Sequence, residues 1–408
     1  MFPQGIPPAI SLSNFEIQQD FCYEREKFFG KERAGMIAVL SIDSRVITCL
    51  CGMVKKDGTY SVMAQATSPY AGIRKKRAIS SYGFVNASAD AIEQAEEITG
   101  KRIREVHVGV PGSFCELDFS RPLPQSIEDA GEPALVDKAL YMDDENELIH
   151  RIQMPRRQGG AQRGPESVIS ILANREYIKE MNGALAAKHI RPASFISQNF
   201  AEGLFIIPQI ARDHVAIMLN VGYYNIDVCV FQGDAQVFSG TLNVGGYHIV
   251  TDLAQVLEID LPYAEQLKRL FAFGIQYDQG ATDYIRMDNG KLLSLDHGLV
   301  EKIIQARMDE TGGFVRHAMD ECGVAFTEKT KVFMTGDGLS DMRGAREYLG
   351  ALIGWRIESP PIDMSDGSTR YSTTALSLFD YAMNRQTKPL EQAQIPKPNL
   401  LKKVFSKR

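Results

Sequence analysis

The chain has 408 residues, too many for one compact core, so two to four structural units are expected. Hydrophobic residues make up 44% and charged residues 24%, an ordinary balance for a soluble globular protein. A net charge of −6 argues against binding nucleic acid over the whole surface.

The N-terminal stretch "MFPQGIPPAI" lacks the positive start and long apolar run of a secretion signal. No apolar run approaches the length that spans a bilayer, so a cytoplasmic protein with at most peripheral membrane contact is expected. Residues 1–34, with Pro3, Pro7 and Pro8, read as an extension outside the core. The six cysteines are scattered, which suits a reducing compartment better than a disulfide scaffold. Cys49 and Cys51 share one face of a strand, but no second pair completes a four-ligand zinc site, so no metal is expected there.

The body begins at "MIAVLSIDSRVITCLCGMVKKDGTYSVMAQA", where apolar runs are separated by a turn containing Asp57-Gly58. Ala91, Ile92, Ala95 and Ile98 then fall at helical spacing, with Gly100 as the stop. "IREVHVGVPG" reads as a buried strand. Residues 113–166 change character, with polar loops and the arginine- and glycine-rich "PRRQGGAQRGP", and suggest a small inserted subdomain. "SVISILANREYIKEMNGALAAKHIRPASFI" returns to strand, helix and strand.

"IMLNVGYYNIDVCVFQG" echoes the layout of "AVLSIDSRVITCLCG" about 180 residues earlier. Each has an apolar strand, a polar residue (Ser41, Asn220), a β-branched residue, a tight turn, a second strand and a glycine. The spacing suggests two related α/β lobes facing a cleft. Further on, "KVFMTGDGLSDMRGAREYLG" is a strand ending in a glycine turn before a helix, a place where α/β sheets commonly bind ligands. "STTALSLFDYAMNR" reads as a last amphipathic helix. A proline-bearing linker then leads to "NLLKKVFSKR".

These segments, in this order, resemble the actin-like superfamily and, within it, the bacterial cell-division FtsA family. The match runs from about Met36 to Met383: two phosphate hairpins, a helix of mixed charge at "LPYAEQLKRLFAFG", an adenosine-side glycine turn at "VFMTGDGLSDMRGA" and a closing helix. The resemblance implies a two-lobed actin-like (ribonuclease H-like) α/β fold with a small subdomain inserted in the first lobe. It divides the chain into the extension 1–34, a first lobe of 35–112 with 167–200 and 365–385, and the insert 113–166. A second lobe of 201–364 follows, with 251–310 as a peptide-binding subdomain, then a linker 386–398 and a tail 399–408.

The departures from the family pattern bear on chemistry. The first hairpin of the family reads roughly Asp-Ile-Gly-Thr, and Ser41, Ile42, Asp43 and Ser44 stand there. The acid is lost, an acid replaces the glycine, and only the hydroxyl of Ser44 remains. The second hairpin reads roughly Asp-Ile-Gly-Gly-Gly-Thr-x-Asp, against Asn220, Val221, Gly222, Tyr223, Tyr224, Asn225, Ile226 and Asp227 here. The bulk of two tyrosines is expected to block the close backbone approach that phosphate needs. Gly336 and Gly338 persist in the third turn. The resemblance therefore gives a degenerate nucleotide cleft at Ser41, Ser44, Asn220, Gly222, Asn225, Asp227, Gly336 and Gly338, with no catalytic residue. No cofactor is firmly expected, and weak Mg-ATP binding through the adenosine side stays open.

In a helix from Asn399, Leu400, Leu401, Val404 and Phe405 fall within an arc of about 140°, with Lys402 and Lys403 mainly on the other side. That pattern suits a helix lying in an anionic membrane interface. The family also implies an FtsZ-like C-terminal peptide as partner, with Arg307 in "LVEKIIQARMDETGG" nearest to a basic contact, and self-association into filaments. The function so implied is an adaptor tethering a tubulin-like FtsZ partner to the cytoplasmic membrane without ATP turnover. The alternatives are an active ATP-dependent enzyme of the superfamily, such as a sugar kinase, and a PilM-like pilus-assembly platform for a peptide.

Overall fold

The computed structural model describes residues 35–54, 60–70, 81–119, 145–153, 168–361, 365–366 and 369–387. The extension 1–34, the stretch 155–165, and the linker and tail from 388 onward, with Leu400, Leu401, Lys402, Lys403, Val404 and Phe405, lie outside the described residues.

The first lobe is built on a five-stranded sheet of order β3-β2-β1-β4-β8. Its strands are β1 (Met36–Ile42), β2 (Val46–Val54), β3 (Tyr60–Pro69), β4 (Glu105–Val110) and β8 (Arg191–Ser197). The first three form an antiparallel meander, and β4 and β8 continue it in parallel. Helix α1 (Ser81–Thr99) begins five residues before the "NASAD" stretch and stops at Gly100, whose φ is +64°. Between β4 and β8 the chain leaves this sheet. Strands β5 (Cys115–Asp118), β6 (Asn146–Gln153) and β7 (Val168–Asn174) form a separate sheet of order β5-β7-β6, followed by α2 (Arg175–Ala186). Its central strand, β7, lies beyond the 113–166 segment, because β5 and β6 both need β7 as their hydrogen-bonding partner.

Helix α3 (Gln198–Ile206), capped by the Ser197 hydroxyl, and a short α4 (Gln209–Arg212) lead into the second lobe. There β9 (Ala216–Val221), β10 (Ile226–Gln232), β11 (Ala235–Leu242), β14 (Lys331–Thr335) and β15 (Ile357–Glu358) form a sheet of order β11-β10-β9-β14-β15. Again three antiparallel strands are extended by two parallel ones. The echo read from the two hairpin sequences is thus an echo of whole sheets. The lobe is completed by α5 (Gly246–Leu257), α6 (Leu261–Leu270), the hairpin β12 (Thr282–Arg286) and β13 (Leu292–Asp296), α7 (His297–Glu321) and α8 (Ala345–Ile353). The chain closes with α9 (Thr373–Thr387).

Alternation along the central strands explains why the lobes stay together. In β1, Ala38, Leu40 and Ile42 face a core beneath α1, whereas Ile37 and Val39 face a different one. In β9, Ile217, Leu219 and Val221 face the core of the second lobe, whereas Ala216 and Met218 join Ile37 and Val39. That shared core also takes Phe200 of α3, Phe231 of β10 and Phe379 of α9. Each large side chain buried there stabilises by roughly 1.5–3 kcal/mol, so the lobes are joined by hydrophobic burial before any contact across the cleft is counted. Gly203 in α3 has no room for a side chain, because an added Cβ would meet the Phe231 ring at 1.9 Å.

Candidate functional site

The two hairpin turns and the glycine turn after β14 converge on a cleft of about 940 Å³ between the lobes. Ser44, Asn220, Gly222, Asn225, Asp227 and Gly336 all line it. Two expected residues do not. Ser41 is fully buried within β1, on the same face as Ile37 and Val39, with its hydroxyl unpartnered among the described residues. Gly338 packs against the second hairpin instead: its N–H donates to the Val221 carbonyl at 2.8 Å, and an added Cβ would meet the Gly222 carbonyl at 2.2 Å.

At the narrow end of the cleft the loops bind one another. Ser44 Oγ, from the first lobe, accepts the backbone N–H of Tyr223, from the second, at 3.1 Å. The neighbouring Arg45 lays its guanidinium 4.3 Å from the centre of the Tyr223 ring and 3.6 Å from Asp337. The Gly222 N–H donates to the Asn225 carbonyl at 2.9 Å, and the Gly336 N–H to Thr335 Oγ1 at 2.7 Å. The start of α5 turns inward as well, with the Gly246 and Tyr247 N–H groups donating to the carbonyls of Gly222 and Tyr223. Ile42 is held on both sides by Gln198, whose Oε1 accepts its N–H at 2.8 Å and whose Nε2 donates to its carbonyl at 3.0 Å.

The tyrosines do not occupy the cleft. Tyr223, Tyr224 and Tyr247 form a cluster with ring centroids 5.0–5.5 Å apart, the edge-on and tilted geometry that aromatic quadrupoles favour. The Tyr223 hydroxyl donates to Glu265 at 3.0 Å, and Lys268, buried beneath, lies 5.7 Å from the ring centre. Burial and the Glu265 carboxylate both push the Tyr223 phenol above its ordinary range. The rings thus pack on one another beside the loops, and the Tyr223 N–H is engaged by Ser44 of the opposite lobe.

The cleft is also acidic. Asp43, Asp227 and Asp337 line it. Burial, and then the nearby Asp337, push Asp43 up to about 7. Burial also raises Asp227, whose carboxylate accepts from Thr241 Oγ1. Behind the wall, Glu202 of α3 is fully buried and accepts from Thr335 Oγ1 at 2.6 Å and Asn220 Nδ2 at 2.8 Å. Burial pushes it up to about 8. The Gly222, Tyr223 and Gly336 N–H groups are thus engaged within the loops, and carboxylates face the space beside them.

Glu202, Gln198, Arg45 and Glu265 were not singled out from the sequence. Glu202 sits in a helix with no spacing signal, and its role appears only when α3 is seen behind both the second hairpin and the third turn. Arg307 lies elsewhere, in a groove of about 460 Å³ between α5 and α7 with Asp252, Val256, Lys302, Ile303 and Glu310. Its guanidinium is bound by Asp252 through two hydrogen bonds and also pairs with Glu310, so its fork is already engaged. Lys302 is the groove's cation without an ion pair among the described residues.

No protein-family model matches the chain. It is 24% identical over 346 residues to the cell division protein FtsA of Pseudomonas aeruginosa, covering 76% of this chain and 79% of that relative. To FtsA of Rhizobium meliloti it is 21% identical, covering 80% and 81%, and to FtsA of Neisseria meningitidis serogroup B 20% identical, covering 84% and 87%. The chain is a divergent relative of the FtsA family. Among solved structures it is similar to a PilM-PilN type IV pilus biogenesis complex, with a TM-score of 0.61, 15% identity, and coverage of 88% of this chain and all of that one. It also resembles MreB5 of Spiroplasma citri bound to ADP, with a TM-score of 0.52, 10% identity and coverage of 86% and 97%. The fold is two-lobed and actin-like. No helix among the described residues is long and apolar enough to cross a membrane.

Glu202 makes stability depend on pH in a defined direction. Its folded value, about 8, lies above its ordinary 4.5, so its proton contributes stability below 4.5 that is lost as pH rises towards 8. Asp43 acts with the same sign up to about 7. Glu202→Gln keeps the size of the side chain and one of its two acceptors, removes the titrating proton and is expected to remove the fall between pH 7 and 8. The limiting slope for one group is about 1.4 kcal/mol per pH unit. Urea unfolding at several pH values measures it, and an unchanged slope in the variant contradicts the assignment.

Proposed function

We infer that the chain is a cell-division adaptor of the FtsA kind, a scaffold that holds an FtsZ-like partner at the cytoplasmic membrane without turning over nucleotide. The observation that carries the second half is the bond between Ser44 and the Tyr223 N–H. Phosphoryl transfer is almost wholly positioning and electrostatic stabilisation, by metal and backbone dipoles fixed around the phosphates. Here the central donor of the second loop points at the first loop, and carboxylates line the space beside it. The adaptor half is supported by relatives named for cell division and by the basic amphipathic tail.

The groove between α5 and α7 suits the partner peptide in this reading. Val256 and Ile303 supply apolar wall, Lys302 is the cation open to an acidic segment, and Arg307 braces the groove through Asp252. An enzymatic reading has no metal-organising acid at position 41 or 220 to rest on. The pilus-platform reading rests on likeness of fold alone.

Calorimetric titration with Mg-ATP is expected to show no saturable heat, and incubation with it no release of phosphate. Micromolar binding with steady release defeats the scaffold reading. Co-sedimentation with anionic liposomes is expected for the full chain and strongly reduced for a chain lacking residues 399–408. Equal pelleting of both removes the tail from the account.

A further inference from the structure

The hairpin β12–β13 has two unlike faces. Ile285 is buried, and Leu295 packs with it against the core of the second lobe. On the other face Thr282, Tyr284, Arg286, Leu292, Ser294 and Asp296 are all exposed. Tyr284 and Leu292 are 60% and 63% exposed, and the register places them diagonally on that face. Among the described residues no third strand joins either edge of the hairpin.

Scattered exposed apolar residues are ordinary, but the order of charges on this face is informative. Arg286 stands at one end, paired in register with Leu292. Asp296 stands at the other end, paired with Thr282. Asp296 caps α7 through Oδ1, which accepts the Leu299 N–H at 2.8 Å, so the cap uses one of its two oxygens. Arg286 has no ion pair among the described residues.

The geometry points to a second copy of this chain as the occupant. We propose that the exposed face of β12–β13 pairs with the same face of a second copy about a two-fold axis lying across the strands. That axis sets Tyr284 against Tyr284 of the second copy and brings Arg286 over its Thr282, beside the Asp296 paired with it, and symmetry makes the contact twice. The strands then cross at a modest angle, near the roughly 30° at which twisted sheets pack face to face. Six side chains cover less than the about 800 Å² per partner of a standard interface, so the pairing is weak and grows with concentration. It is isologous and closes at two copies, unlike a head-to-tail filament contact, and it stands or falls independently of the adaptor reading.

Sedimentation velocity of the full chain over a rising concentration series tests it. The wild type is expected to shift from monomer towards dimer. Arg286→Glu sets like charges together twice and should raise the dimer dissociation constant at least about tenfold. Asp296→Asn keeps a capping oxygen, removes the charge and should weaken the dimer in the same direction. Arg316→Glu, the same charge change on an exposed part of α7, should leave it unaltered. A wild type that stays monomeric throughout overturns the proposal, as does association that Arg286→Glu leaves intact. If instead the face variants keep the wild-type mass and lose pelleting with anionic vesicles, the face takes lipid and the proposal fails.

Discussion

One hydrogen bond, from the Tyr223 N–H to Ser44 Oγ, ties the two lobes together at the cleft. It joins the turns of two hairpins that belong to different lobes. Around it the Gly222, Gly246 and Gly338 N–H groups all find carbonyl partners inside the same knot of loops. The bond is modest in itself, about 0.5–1.5 kcal/mol. Its weight is positional, because it lies where the two hairpin turns and the glycine turn after β14 meet.

The bridge is not what holds the molecule together. Arg45 and Asp337 are each more than a third exposed, and ion pairs of that kind are worth little. A cation over an exposed ring contributes about 0.5–1 kcal/mol. The shared core, with Phe200, Phe231 and Phe379, outweighs these contacts several-fold. Burial therefore sets the approach of the lobes, and the bridge tunes the cleft that remains. Glu202 belongs to the same division of labour: it sits in the helix between the lobes and satisfies Asn220 and Thr335 from behind. The Asn220 amide is the right partner for it, since an acid at that position would set two carboxylates in contact.

Much of the fold was legible because its signals are local and periodic. The Ser41 and Asn220 hairpins, the Gly100 stop and the Thr335-Gly336 turn fall where apolar runs and turn residues place them. The membership of β7 was not legible, since a buried apolar strand fits either sheet and only its partners decide. The site was legible as a place and less so as an arrangement. The departures at 41, 43, 220, 223 and 224 drew attention to these loops. Sequence could not show that Ser41 turns inward, that the tyrosines stack on Tyr247, or that Arg307 is already bound by Asp252. Each of these depends on contacts between residues far apart in the chain.

Amide hydrogen exchange at Tyr223, Gly246 and Gly338, with and without saturating Mg-ATP, tests the closed-loop account most directly. The account predicts slow exchange at all three in the nucleotide-free protein and no further slowing when Mg-ATP is added. Fast exchange that Mg-ATP suppresses would mean that these donors await a ligand, and would contradict it.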